Sequence, residues 1–122
     1  MTDAELNTRM TEIMGWEIRI RDHPRPGHYW LYDAEGNEVM ACYEWTPSTN
    51  IAQAMMVVDR MEDLGFGWEM GEKYVQFWPK LGVTKMPLGS YLRYDRREDR
   101  HRTICLAAAE AWEKTKEVMP SE

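Results

Sequence analysis

The chain has 122 residues, 43% hydrophobic and 30% charged, with a formal net charge of −6. That length suits one domain with a real core, and the composition is that of an ordinary soluble globular protein. No apolar run approaches the roughly 18 residues of a membrane span, and the negative balance argues against nucleic acid, since only local patches could offset repulsion from phosphates.

"MTDAELNTRM" lacks both the basic region and the apolar stretch of a signal peptide, so a cytosolic location is expected. Thr2 or Asp3 can cap a first helix that ends before Gly15, with Leu6, Met10, Ile13 and Met14 on one face. "WEIRIRD" alternates, with Trp16, Ile18 and Ile20 on one side and Glu17, Arg19 and Arg21 on the other, as in a half-buried strand. "HPRPG" breaks it, and "HYWLYDAEGNEVMACYEW" reads as a hairpin turning through Asp33 to Asn37. A second helix follows, capped by Ser48 or Thr49 and ended by Gly65. Ile51, Ala54, Met55, Val58 and Met61 form its expected buried stripe, and Asn50, Gln53, Asp59, Arg60, Glu62 and Asp63 its wet face.

"GFGWEM" and "YVQFWP" form another hairpin around Gly71, Glu72 and Lys73. "KLGVTKMPLGS" is turn-rich and irregular, and Tyr91 to Tyr94 read as a last strand. Asp99 is placed to cap a closing helix over Arg100 to Val118, stopped by Pro120. Ile104, Ala107, Ala108, Ala111 and Trp112 turn inward there, and the small residues predict close approach to a sheet. The predicted fold is α+β: a single domain over 1–122, an α-β-α layered sandwich with a mainly antiparallel sheet and three helices. Trp16 and Trp112 fit the core; Trp30, Trp45, Trp68 and Trp78 lie on predicted strands, at least one of them at a surface. Met55 and Met56 are expected to fill core gaps. Cys42 and Cys105 fit no metal or redox spacing and read as two buried thiols.

Three stretches carry a family resemblance: "MGW" at Met14 to Trp16, "TPSTNIAQAMMVVDRM" at Thr46 to Met61, and "ICLAAAEAW" at Ile104 to Trp112. In this order the chain resembles the phage ABA sandwich domain, a family of small phage and prophage proteins. The resemblance spans nearly the whole chain and implies an α-β-α layered fold and a phage origin, but no catalytic residues. The sequence departs from the pattern at "DRREDRHRT", where a small residue and a proline would be expected before the isoleucine.

No constellation points to catalysis. His23 and His28 flank a proline-rich turn without a carboxylate or cysteine at helical ligand spacing, so they read as surface or capping residues and no metal is expected. "GFGWEMG" follows a helix and precedes a strand, the reverse of a dinucleotide-binding turn. Ser48 is better explained as a cap, Cys105 lies on an apolar helix face, and no pair of acids stands out as acid and base. No cofactor is implied.

Charge is more informative. Arg19, Arg21 and Arg25 fall in one segment; Arg93, Arg96, Arg97, Arg100 and Arg102 fall in another, beside His101 and just before a helix. Guanidinium forks suit phosphate or carboxylate, and a helix start attracts anions. Tyr29, Trp30, Tyr91 and Tyr94 could offer stacking surfaces. The alternative is a set of surface ion pairs with Asp95, Glu98 and Asp99, each contributing ~0–1 kcal/mol. Arginines at a helix start oppose its dipole, a local rule broken without local gain.

The candidate site is therefore Arg93, Arg96, Arg97, Arg100, His101 and Arg102, with Arg19, Arg21, Tyr94 and Trp30. Together with the phage resemblance, it favours a small non-enzymatic binding protein acting in the host cytoplasm. Such a protein would antagonise an antiviral defence by sequestering a nucleotide signal or by blocking a host defence protein. The partner is then a phosphorylated small molecule or that host protein, and a homo-oligomer is expected. A phage assembly protein working through oligomer contacts and a nucleotide-modifying enzyme are the alternatives.

Overall fold

Helix α1, Asp3–Met14, forms where both ends carry their own stop signals. Thr2 Oγ1 accepts from the Glu5 amide at 3.1 Å while the Glu5 carboxylate accepts from the Thr2 amide at 3.3 Å, a reciprocal capping box. At the other end Gly15 takes φ 75°, its amide donates to the Glu12 carbonyl, and the Trp16 amide donates to Thr11. That Schellman pattern leaves the Ile13 carbonyl, which accepts from Arg60 Nε at 3.0 Å. This computed structural model describes residues 1–21, 28–80 and 90–118; the side chains of 21, 28, 117 and 118 are outside it. The expected break at "HPRPG", the irregular stretch over 81–89 and the stop at Pro120 lie beyond the described residues.

Strands β1 (Glu17–Arg21), β2 (His28–Tyr32) and β3 (Glu38–Ala41) form an antiparallel sheet in that order. The β2–β3 loop is shaped by Asp33, whose carboxylate accepts from the amides of Glu35 and Asn37 at 3.0 and 2.9 Å. The Asn37 amide first, with desolvation opposing it, holds the Asp33 carboxyl below the usual aspartate range. A 3-10 turn, Cys42–Glu44, then leads away from the sheet.

Helix α2, Ile51–Asp63, is capped by Asn50, which accepts from the Gln53 amide at 3.0 Å. The expected caps are displaced because Ser48 is drawn inside, 1% exposed, its amide donating to Asn7 Oδ1 of α1. Gln53, expected on the wet face, instead clamps the approach to the helix. It accepts from the Thr46 amide and donates to the Glu44 carbonyl. The buried stripe is Ala54, Val57, Val58 and Met61; Ile51 is exposed, as is Met56.

Strands β4 (Phe66–Met70), β5 (Tyr74–Pro79) and β6 (Ser90–Arg93) make a second antiparallel sheet. A 3-10 turn, Arg97–Asp99, opens into helix α3, Arg100–Val118. Helix α3 packs on β5 and β6, α2 on β4, and α1 on both helices. One core joins Leu6, Met10 and Ile13 of α1, the α2 stripe, Val75 and Phe77 of β5, and Ile104, Ala107, Ala108 and Ala111 of α3. Burying each large aliphatic or aromatic side chain there is worth about 1.5–3 kcal/mol. Cys105 is buried in this core and Cys42 half-buried; both are free thiols. Trp45, placed on a strand from sequence, follows the 3-10 turn and is 3% exposed, edge-on to the half-buried Trp16 at 4.7 Å.

The fold is α+β with three helices and antiparallel strands, but the strands divide into two three-stranded sheets rather than one. The Cys42–Glu44 turn and the Gln53 clamp carry the chain off the first sheet before β4 begins. Strand β1 is also wetter than its alternation predicts: Ile18 and Ile20 are 47% and 57% exposed.

Candidate anion-binding site

The β4–β5 turn, Gly71-Glu72-Lys73, is held against the chain between β6 and α3 because the Tyr94 amide donates to the Lys73 carbonyl at 3.0 Å. Gly71 is required there: a Cβ would lie 1.9 Å from the Tyr74 ring. Tyr74 lies over that glycine, donates its hydroxyl to Glu69 at 2.8 Å and stacks on Tyr91 with centroids 5.3 Å apart. The Glu69 bond, with burial second, pushes the Tyr74 phenol above its ordinary value.

Between this turn and the start of α3 is a cavity of about 410 Å³, bordered by Lys73, Arg97 and Arg100, by Glu72 and Asp95, and by Gly71 and Tyr94. A second, more open depression of about 460 Å³ lies across Tyr94 and Asp95, which belong to both. Arg93, Arg96 and Arg102 line it, with Asp99 and the helix residues Thr103 and Leu106.

Acids border both hollows, Glu72 and Asp95 the first and Asp95 and Asp99 the second, leaving each a formal balance of +1, but close ion pairs with the cations are few. Arg96 reaches Glu98 at 3.6 Å, both well exposed, a pair worth ~0–1 kcal/mol. Arg102 turns away from its neighbours to Asp3 of α1 at 2.6 Å and also donates to the Met1 carbonyl. Among the described residues Lys73, Arg93, Arg97 and Arg100 make no ion pair within 4.0 Å. Arg100 is half-buried and its Nε is enclosed without a hydrogen-bond partner, a donor stripped of water and left unpaid by the fold. The start of α3 adds less than expected, because the Arg100 amide already donates to the Arg97 carbonyl and the Asp99 amide to Arg96. Asp99 itself ends the 3-10 turn, its carbonyl accepting from Thr103 Oγ1 at 2.8 Å. Cation side chains, rather than helix amides, make this region attractive to anions.

The site residues expected from sequence separate into groups. Arg93, Tyr94, Arg96, Arg97, Arg100 and Arg102 come together around the two hollows. His101, half-buried, lines neither. Arg19 and Trp30 face each other across β1 and β2 in the other sheet and line neither hollow. Arg19 is engaged by Glu17 at 2.9 Å and lies 4.9 Å over the Tyr32 ring. The Glu17 hydrogen bond pushes its pKa up. Arg21 closes β1, its side chain outside the described residues, as is Arg25. Lys73 is the site residue that sequence reading missed. It stands in a turn 20 or more positions before the arginines, and only the β5–β6 pairing brings it alongside.

Neither hollow is lined by histidine or cysteine. Burial raises the Cys42 thiol and pushes Cys105 up to about 12, so both are protonated at neutral pH. Among the described residues no three His, Cys, Asp or Glu side chains cluster as metal ligands, and no helix is long and apolar enough to cross a membrane. In comparison with known proteins, the family model of the phage ABA sandwich domain matches residues 11–109. No curated protein and no solved structure matches the chain.

Proposed function

The chain belongs to the phage ABA sandwich domain family, and on that footing we propose that it is a non-enzymatic binding protein that holds a phosphorylated small molecule at the Lys73–Arg97–Arg100 cavity. One observation carries the reading: three cations without ion-pair partners among the described residues converge on one hollow of a chain whose net charge is −6. An anion with several oxygens gives each of them a charge-assisted hydrogen bond, worth about 1.5–3 kcal/mol apiece. Glu72, Asp95, Lys73 and Tyr94 border the hollow and are residue types able to move protons, so recovery of the ligand unchanged is what distinguishes holding from conversion. In the host cytoplasm such a protein withholds a nucleotide signal from an antiviral defence.

The test is calorimetry with a nucleotide panel, together with analysis of the supernatant after the purified protein is denatured. Retention of a nucleotide, recovered chemically unchanged and weakened at least tenfold by Arg97→Ala with Arg100→Ala, is the expected result. A panel in which nothing binds overturns sequestration, and a converted nucleotide overturns the non-enzymatic reading.

A second reading rests on a different surface. The β1–β2 register places Ile18, Ile20 and Tyr29 on one face, all about half exposed, and Tyr43 is 78% exposed. Apolar side chains exposed together mark protein contacts, which favours a homo-oligomer or a host protein as partner. Sedimentation of the wild type and of Ile20→Asp separates the two: a self-associating face dissociates on substitution, whereas a host-protein face leaves a monomer in both.

A further inference from the structure

Two hollows that share a wall raise the question of what one ligand could fill both. Each is bordered by three cationic side chains and one acid of its own: Lys73, Arg97 and Arg100 with Glu72 on one side, Arg93, Arg96 and Arg102 with Asp99 on the other. The shared wall is Tyr94 and Asp95. Tyr94 is 7% exposed and its amide donates to the Lys73 carbonyl, so the wall is tied to the β4–β5 turn just beyond the end of β6. The exposed Asp95 carboxylate therefore sits between two cationic regions, with Arg93 and Arg97 on either side of it in the chain.

We infer that the two hollows form one two-lobed site for a small molecule bearing two separated phosphate groups joined by a neutral, hydroxyl-bearing spacer such as a sugar. The inference rests on the phosphate-binding reading above and narrows the ligand class. A phosphate lodged against Asp95 meets like charge at short range, which disfavours a compact run of phosphates lying across the wall. A spacer hydroxyl in the same place donates to the carboxylate, a favourable charge-assisted bond. In the second lobe Arg102 is already engaged by Asp3, so Arg93 and the loosely paired Arg96 are the groups free to take a phosphate. Asp95 thus acts as a spacer gauge, selecting for the separation of charges rather than their total.

Calorimetry with named probes tests this. Adenosine 5′-monophosphate reports the first lobe; adenosine 3′,5′-bisphosphate and fructose 1,6-bisphosphate carry separated phosphates; adenosine 5′-triphosphate carries a similar charge in one run. At least one bisphosphate should bind tenfold or more tightly than both the monophosphate and the triphosphate. Arg93→Ala with Arg96→Ala, both exposed positions, should abolish that advantage while leaving monophosphate affinity within twofold. Lys73→Ala with Arg97→Ala should weaken every probe. Asp95→Asn should raise triphosphate affinity and erase the preference. Bisphosphates that bind no better than triphosphate, or that ignore the Arg93/Arg96 change, overturn the two-lobed site while the single-cavity reading stands. A panel in which no probe binds overturns both.

Discussion

Replacing Arg60 by methionine tests how α1 is tied to α2. The substitution keeps most of the stem and removes the guanidinium whose Nε donates to Ile13 at 3.0 Å. The Schellman pattern already serves Thr11 and Glu12, and α1 has no basic residue in its own last turn, so Arg60 brings a cation to that helix end from α2. A hydrogen bond from a charged donor is worth about 1.5–3 kcal/mol. Unfolding entropy of roughly 2.1 cal/mol/K per residue, over 122 residues, converts that loss into a fall of about 6–12 °C in Tm. Urea denaturation followed by circular dichroism should show a lower midpoint with an unchanged slope, and Arg60→Lys should recover part of the loss. Gly15→Ala adds an internal check. Its φ of 75° costs a non-glycine about 1–2 kcal/mol, and the new Cβ would meet Arg60 Nη2 at 3.0 Å. The alanine should therefore cost less in the Arg60→Met background. If Arg60→Met changes stability by under 0.5 kcal/mol, the tie is incidental.

Ser90→Ala removes the buried bond from Ser90 Oγ to the Ala107 carbonyl at 2.7 Å, and equilibrium unfolding should register about 0.5–1.5 kcal/mol of lost stability. Gly71→Ala must displace the Tyr74 ring; an overpacking cost of about 1–3 kcal/mol, with loss of tyrosine near-ultraviolet ellipticity, is expected, and an unaltered spectrum would speak against the close approach. Under native conditions a thiol reagent should modify Cys42 and spare Cys105, which is fully buried. Because burial raises the folded Cys105 pKa to about 12 against about 8.5 unfolded, its contribution is intact below pH ~8.5 and is lost as pH climbs towards 12. Cys105→Ala should flatten the alkaline fall in stability, and identical pH profiles would remove Cys105 as its cause.

The helices were the most legible part of the chain, because their signals are local. Thr2, Gly15 and Gly65 mark ends through the chemistry of their own turns, and α3 runs from Arg100 to Val118 as its periodicity predicts. The α2 face is rotated from the stripe its sequence predicts, because Ile51 stands in the first turn just after the cap and is exposed there; Val57 takes the fully buried position. Sheet membership was less legible still, since alternation in β1 reports two unlike faces but not whether anything covers the apolar one. At the site, the arginines were readable as a cluster, whereas their partners were not. Asp3 answers Arg102 from the far end of the chain, and Lys73 joins Arg97 and Arg100 only through strand pairing. Short-range pattern carries no information about contacts of that span.

The alanine face of α3 has a consequence for how the cavity could be tuned. Ala107, Ala108 and Ala111 have no exposed surface, and the Ser90 bond holds the helix close to β6. One wall of the cavity begins on that helix at Arg100, and the other is made by Tyr94 and Lys73 at the ends of β6 and β5. The thickness of a methyl group thus sets the gap between the walls. A single enlargement such as Ala107→Val, at a position that lines neither hollow, would act as a shim, moving the two halves apart and altering the bore without touching its lining.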